Sequence, residues 1–344
     1  MASTLSHAAL FAAGVFIGAG TMVYTTHKSS NQDNALAHPN HNPQSPQNLI
    51  QNQPPRQHFF STPTVPVPIQ NRSSISDILK FGHPGPISDF FSREAYAIGY
   101  DRRTRNPSWT AEHLTSENLK PNKTSGKPGD DDAPDRSHST FREDVALPEQ
   151  FRAKLHDYFR SGYDRGHMVP AADAKRSQAA MDQTFLLSNI APQVGEGFNR
   201  DYWAHLENFV RQLTHSFQDV YVFTLPMYLP KQDPVTKKHF INYEVIGNPP
   251  NVAVPTHFAK VVYAIGGKAD PSGKGSLGSF VLPNAKISNE IPLVQFDAPI
   301  ESIERSTGLI LLPETIKQTQ NKLCSTVKCD MVIRNFDNMK KQIK

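Results

Sequence analysis

The sequence predicts an α+β fold, with a central, mostly antiparallel β-sheet flanked by helices. Val220 to Leu225, Phe240 to Ile246, Val252 to Ile265 and Ser279 to Leu282 are β-branched or aromatic stretches separated by Pro, Gly, Asn and Lys. That alternation of extended and turn-forming chain is what successive antiparallel strands require. Asn199 to Phe217 instead carries Leu206, Phe209, Val210, Leu213 and Phe217 at helical spacing, with charged residues between them. It reads as an amphipathic helix with one face for the sheet. The third observation is the lack of any useful repeat, which sets aside solenoids and propellers.

Smaller signals complete the element order. Glu94 to Tyr100 and Trp109 to Leu114 read as short strands, so the sheet starts well before the long helix. Lys120 to Asp132 is loop by every local signal, cations first and carboxylates last, and its Asp130-Asp131-Asp132 triplet reads as solvated because consecutive carboxylates repel. Pro299 to Thr307 opens with Pro, continues with Glu301 and Glu304 and stops before Gly308, which gives one more short helix. Beyond Leu312 the Lys- and Asn-rich tail carries little signal.

At 344 residues the chain can bury a substantial core, while 28 prolines and a mean hydropathy of −0.49 imply that part of it stays outside that core. Four regions follow. Residues 1–28 form an apolar targeting or membrane-anchor segment, uncharged from Ala8 to Tyr24 and at the lower limit for a bilayer span. Membrane anchor, secretory signal and organellar presequence compete for it; with no Arg before Arg56 and a mediocre cleavage site, an uncleaved anchor leads. Residues 29–75, rich in Asn, Gln, Pro, Ser and His, form a polar tether. Residues 76–320 form the globular domain and 321–344 a tail. Cys324 and Cys329 exclude a disulfide scaffold and a four-cysteine zinc site; they could pair, but a reduced compartment is equally compatible. The net charge of +4 suits a polyanionic partner without requiring one.

The densest chemical signal is Tyr163-Asp-Arg-Gly-His-Met-Val-Pro-Ala-Ala-Asp173. Histidine titrates nearest neutrality, so His167 suits a general base. Arg165 supplies a planar, permanently charged fork for phosphate oxygens. Taken singly, His167 could be a satisfied core residue and Asp164-Arg165 a local ion pair. A second cluster, Phe198-Asn-Arg-Asp-Tyr-Trp-Ala-His-Leu-Glu207, opens the predicted helix. At ~100° per residue, Asn199 and Glu207 share one side of that helix two turns apart. An amide oxygen and a carboxylate there suit a hard cation that keeps most of its waters, as Mg²⁺ does. A plain N-cap role for Asn199 is the competing reading.

With these motifs in place, the chain resembles the ββα-metal DNA/RNA non-specific endonucleases, in their mitochondrial endonuclease G branch. Ser92-Arg-Glu-Ala-Tyr96, Tyr100-Asp-Arg-Arg-Thr-Arg105, Phe141-Arg-Glu-Asp144, Asp164-Arg-Gly-His167, Leu187-Ser-Asn-Ile-Ala-Pro-Gln193, Val252-Ala-Val-Pro-Thr-His257 and Ile300-Glu-Ser-Ile-Glu-Arg305 carry the resemblance over residues 79 to 313. It implies a ββα-metal nuclease fold in which His167 is the base, Asn199 the direct metal ligand, and Glu207 and Asp164 orient bound water. Arg165 and Arg200 are implied near the scissile phosphate, with Arg136 or Arg142 as a further cation. The expected cofactor is Mg²⁺, with Mn²⁺ as the alternative. Expected partners are DNA and RNA without sequence preference, a second copy in a homodimer, and a membrane through the N-terminal segment. The expected location is mitochondrial, at the inner membrane or intermembrane space, with secretion as the alternative. One departure is Leu225 between Thr224 and Pro226, where the family usually has Gly, so the local turn is expected to differ. A binding protein that organises nucleic acid without cutting is the non-enzymatic alternative. His156, His205, His215 and His257 are expected to be structural.

Overall fold

The computed structural model describes residues 88–121 and 133–333. The expectations for the apolar segment, the polar tether and most of the Lys120–Asp132 stretch lie outside the described residues. Strands β1 (Ser88–Ser92), β2 (Tyr96–Asp101) and β3 (Asn106–Leu114) form a meander. The chain then leaves the sheet for β4 (Asp164–His167), α1 (Gln178–Gln183), β5 (Ile190–Gln193) and α2 (Tyr202–Gln212). It returns as β6 (Asp219–Met227). The short strands β7 (Lys231–Gln232), β8 (His239–Phe240), β9 (Val245–Ile246) and β10 (Val252–Ala253) precede β11 (His257–Ile265) and β12 (Ser276–Pro283). Helices α3 (Ile300–Thr307) and α4 (Glu314–Thr319), strand β13 (Asn321–Lys322) and α5 (Leu323–Thr326) follow. The main sheet runs β1-β2-β3-β6-β11-β12-β13, antiparallel except for the β12–β13 edge.

Side chains that alternate along a strand supply two cores. On one face Val220, Val222, Phe258, Val262, Phe280 and Leu282 meet Trp203, Leu206, Phe209 and Val210 of α2. On the other, Leu225, Met227, Ala259, Val261 and Val281 meet Ile300 and Ile303 of α3. The functional elements β4, β5 and α2 therefore lie on one side of the sheet, held by the larger aromatic core.

Several elements differ from the sequence reading. The helix expected over 199–217 starts at Tyr202, because Asp201 breaks the backbone at φ −141°, ψ −101°, and after Gln212 it tightens into a 3₁₀ turn, Leu213–His215. The strand expected over 240–246 is two short rungs, β8 and β9. Ile241 and Tyr243 between them are exposed, so no sheet face gathers them. The run 252–265 breaks at Val254-Pro255-Thr256, where proline has no N–H for a ladder. Leu225 lies mid-strand opposite Ala259 and is fully buried, so β6 continues through the place where a different turn was expected. The tail holds more order than expected: α4 and α5 form, and Cys324 and Cys329 are joined in a disulfide. Among the described residues no helix is long and apolar enough to cross a membrane.

Candidate active site

The site grows from the antiparallel pair β4–β5, with Asp164 opposite Gln193 and His167 opposite Ile190. His167 ends a strand, because Asp164–His167 has a partner strand to bond. Gly166 is required there. A Cβ at that position would fall 2.0 Å from Gln193 Oε1, whose side chain crosses the glycine. Beyond His167 the chain is clamped by buried Asn189, whose Oδ1 accepts from Val169 N at 3.1 Å while its Nδ2 donates to Val169 O at 3.0 Å and Thr184 O at 2.8 Å.

Asp164 and His167 occupy the two ends of β4. On the Asp164 side, β5 runs into a tight turn, Gly195–Asn199, that closes with Asn199 N donating to Val194 O at 2.9 Å. Gly195 lies so close to the carboxylate that a Cβ would come 2.8 Å from either Asp164 oxygen. Asn199 Nδ2 donates to Asp164 Oδ2 at 2.9 Å, and Arg200 Nε meets the same oxygen at 3.0 Å. Asn199 thus sits in the turn before α2, not on it. The break at Asp201 lies between Asn199 and Glu207, so a single helix face does not align them as expected, and the N-cap position belongs to Asp201. The bond to Asp164 fixes the amide with its nitrogen committed, leaving the oxygen as the donor atom for a ligand.

At the other end of β4, the His167 ring is 8% exposed, between Phe141 at 5.3 Å and Phe185 at 4.7 Å between centroids. Its Nε2 is buried with no hydrogen-bond partner among the described residues. Burial, and then the Arg136 charge, pull its pKa down to about 3, so the imidazole is neutral at physiological pH. Two exposed arginines lean on the same aromatics: Arg165 lies 4.6 Å above Phe141 and Arg136 5.5 Å from Phe185. Arg136 also acts on Glu207, so its charge reaches both groups. Arg142 is placed differently, with its backbone bridging to Leu186. Of the two cations left open by the sequence, Arg136 is the one beside His167.

Glu207 is on α2, where burial pushes its carboxyl up to about 7 against the opposing charges of Lys260 and Arg211. Two of the other histidines have partners: His205 is fully buried near Asp201, and His257 is half-buried with Nδ1 2.9 Å from Thr256 Oγ1. The sequence reading passed over Phe141, Phe185, Glu112 and Lys260. For Lys260 a signal existed, a lone cation inside a strand whose neighbours are apolar.

Among the described residues no group of three or more His, Cys, Asp or Glu side chains could cage a metal. An oriented amide oxygen with carboxylates nearby fits a hard cation that keeps most of its waters. Over residues 74–318 the chain matches the DNA/RNA non-specific endonucleases. It belongs to that family. It is accordingly a DNA/RNA endonuclease, a phosphodiester hydrolase on the ββα-metal α+β fold. This endonuclease is 52% identical over 264 residues to the mitochondrial nuclease of Saccharomyces cerevisiae, covering 76% of this chain and 77% of the relative. It is 43% identical over 242 residues to human mitochondrial endonuclease G, covering 70% and 74%. A crystal structure of the EndoG/EndoGI complex matches with a TM-score of 0.59 and 45% identity, covering 70% of this chain and 92% of that one.

Proposed function

We propose that this endonuclease cuts DNA and RNA with a single hydrated Mg²⁺, Mn²⁺ being able to replace it, and with His167 as general base, leaving 5′-phosphate and 3′-hydroxyl ends. The observation that carries the reading is the pairing, along one short strand, of a neutral imidazole whose Nε2 has no partner among the described residues and a carboxylate that locks the Asn199 amide. Asn199 would hold the cation through its side-chain oxygen, with Glu207 and Asp164 orienting the hydration water beside it. When bound, the cation neutralises charge developing on the phosphate and eases departure of the 3′ oxygen. His167 takes the proton of the attacking water, a role that requires the neutral ring its burial enforces. Arg165, Arg200 and Arg136 neutralise phosphate oxygens; Arg165 and Arg136 are held by stacking on Phe141 and Phe185, so their forks stay free to face substrate.

Plasmid nicking with Mg²⁺ and with EDTA, on wild type, His167→Ala and Asn199→Ala, tests the proposal. Expected are loss of nicking in EDTA, a ~10²–10⁴-fold slower His167→Ala enzyme that still binds nucleic acid, and an Asn199→Ala enzyme needing more metal. Full activity of His167→Ala, or an unchanged metal titration for Asn199→Ala, sinks the assignment. Since the yeast and human relatives are named mitochondrial, the same location is proposed here, at the inner membrane or intermembrane space through the N-terminal segment, with a homodimer as the working form.

A further inference from the structure

The chain leading into β4 makes an exposed aromatic step. Residues Leu155–Tyr158 form a 3₁₀ turn that stops at Phe159, whose N–H donates to His156 O at 3.1 Å. Tyr158 is buried with Leu187 and Ile190 in a small core against which Phe141 and Tyr163 also pack. Ile190 is the register partner of His167 and Phe141 lies against its ring, so the turn is mounted on the packing that holds the site. Phe159 takes no part in it and is 65% exposed. A single exposed ring is ordinary, but this one carries a cation. The Arg160 guanidinium lies 5.0 Å from its centroid, and the His156 ring is within 18° of parallel at 6.5 Å. Arg160 has φ +55°, a left-handed conformation that strains a residue with a side chain. The Ser161 hydroxyl closes the turn beyond it, donating to Tyr158 O at 3.0 Å and accepting from Tyr163 N at 3.2 Å. Arg160 and Arg165 are both exposed, while the carboxylates nearby are engaged. Asp157 accepts from Lys154 N and Asn251 Nδ2 at 2.7 Å each, Glu244 from Tyr163 O–H at 2.8 Å, and Asp164 from Asn199 and Arg200.

We propose that Phe159 and Arg160 form a further substrate contact: Phe159 stacks one unpaired base of single-stranded DNA or RNA, and Arg160 takes the adjoining phosphate. An apolar ring beside an exposed guanidinium suits a nucleic-acid strand, since every base offers a π-face and every linkage a negative charge. A duplex keeps its bases in their own stack, so the contact favours single strands. Six residues separate Phe159 from Arg165, and at no more than ~3.6 Å per residue the two lie within ~22 Å. At ~3.4 Å per nucleotide of stacked strand, one substrate reaches both within about six nucleotides. The inference rests on the reading that Arg165 faces phosphate and is independent of the metal and of the general base.

The test uses the full chain in EDTA, with a fluorescein-labelled single-stranded oligonucleotide, the same sequence as duplex, and an abasic version of the single strand as probes, read by fluorescence anisotropy. Phe159→Ala is expected to weaken single-strand binding by ~5–100-fold, the range for one lost base stack, and duplex binding by less than about twofold. Phe159→Trp should bind at least as well as wild type, and its indole fluorescence should be quenched by the normal strand and not by the abasic one. On the abasic strand, Phe159→Ala and wild type should bind alike. Arg160→Gly, which suits the left-handed φ, should weaken single-strand binding and lower its salt slope by about one. If Phe159→Ala fails to fold, Phe159→Leu, which keeps an apolar side chain without a π-face, carries the same thresholds. Wild-type single-strand affinity in Phe159→Ala, with Arg165→Ala weakened, overturns this inference alone. Equal losses on single strand and duplex also overturn it. So does unchanged affinity with a change of oligomeric state on sedimentation, which would make the step an interface between copies. Unchanged affinity in both Phe159→Ala and Arg165→Ala overturns it together with the phosphate reading of Arg165.

Discussion

His167 shows how one environment sets two properties. The Phe141 and Phe185 rings that fix the imidazole also exclude the water that would stabilise its charged form, so the ring is neutral because it is positioned. The same burial makes folding pH-dependent. The unfolded chain takes a proton on this ring near pH 6.5, whereas the folded site resists it down to about 3. The contribution is therefore complete above about 6.5 and is lost as pH falls toward about 3. Urea titrations of wild type and His167→Asn should diverge in slope across that window, and parallel pH profiles would contradict the burial argument. Gly166 gives a second residue-scale prediction. Gly166→Ala should destabilise by ~1–3 kcal/mol and slow cleavage, since its methyl collides with Gln193, and Gln193→Ala should relieve much of both effects. Nicking rates and denaturation midpoints of the two single variants and the double variant decide it.

At the scale of elements, the functional unit is strand, strand, turn and helix, and the break at Asp201 separates the last two. Asp164 joins them, since its Oδ2 accepts from Asn199 and meets Arg200. Asp164→Ala should release both side chains and raise the metal concentration for half-maximal nicking, with little change in the unfolding midpoint because the carboxylate is partly solvated. α2 is anchored from beneath by Leu206, fully buried in the aromatic core. Leu206→Ala should cost ~2–5 kcal/mol in chemical denaturation, and a smaller loss would mean that the core collapses around the gap. The sequence reading found α2 from its apolar spacing but merged the turn with it. Periodicity reports which residues face a core and is blind to a single backbone break such as Asp201.

For the whole molecule, the sheet separates the core packed beneath α2 from a second core packed beneath α3. In the proposed function, arginines on the site's surface meet phosphate, so recognition should be salt-sensitive. log(kcat/KM) is expected to fall linearly with log[salt], alike for DNA and RNA substrates of different sequence. A flat salt profile would mean that base contacts dominate.

Residue chemistry and local pattern were sufficient in the sequence for the α+β class, the amphipathic helix and the motif holding Asp164, Arg165 and His167. Each of these is a short-range property, written in spacing or in the side chains themselves. Tertiary structure alone decided that His167 ends a strand, that Arg136 and not Arg142 lies beside it, and that Leu225 continues β6. It also decided that Asn199 is locked by a residue 35 positions away and that Lys260 is buried against Thr224 and Trp203. Those facts depend on which distant segments the sheet and its cores bring together, and on how burial then changes the charge of what it encloses.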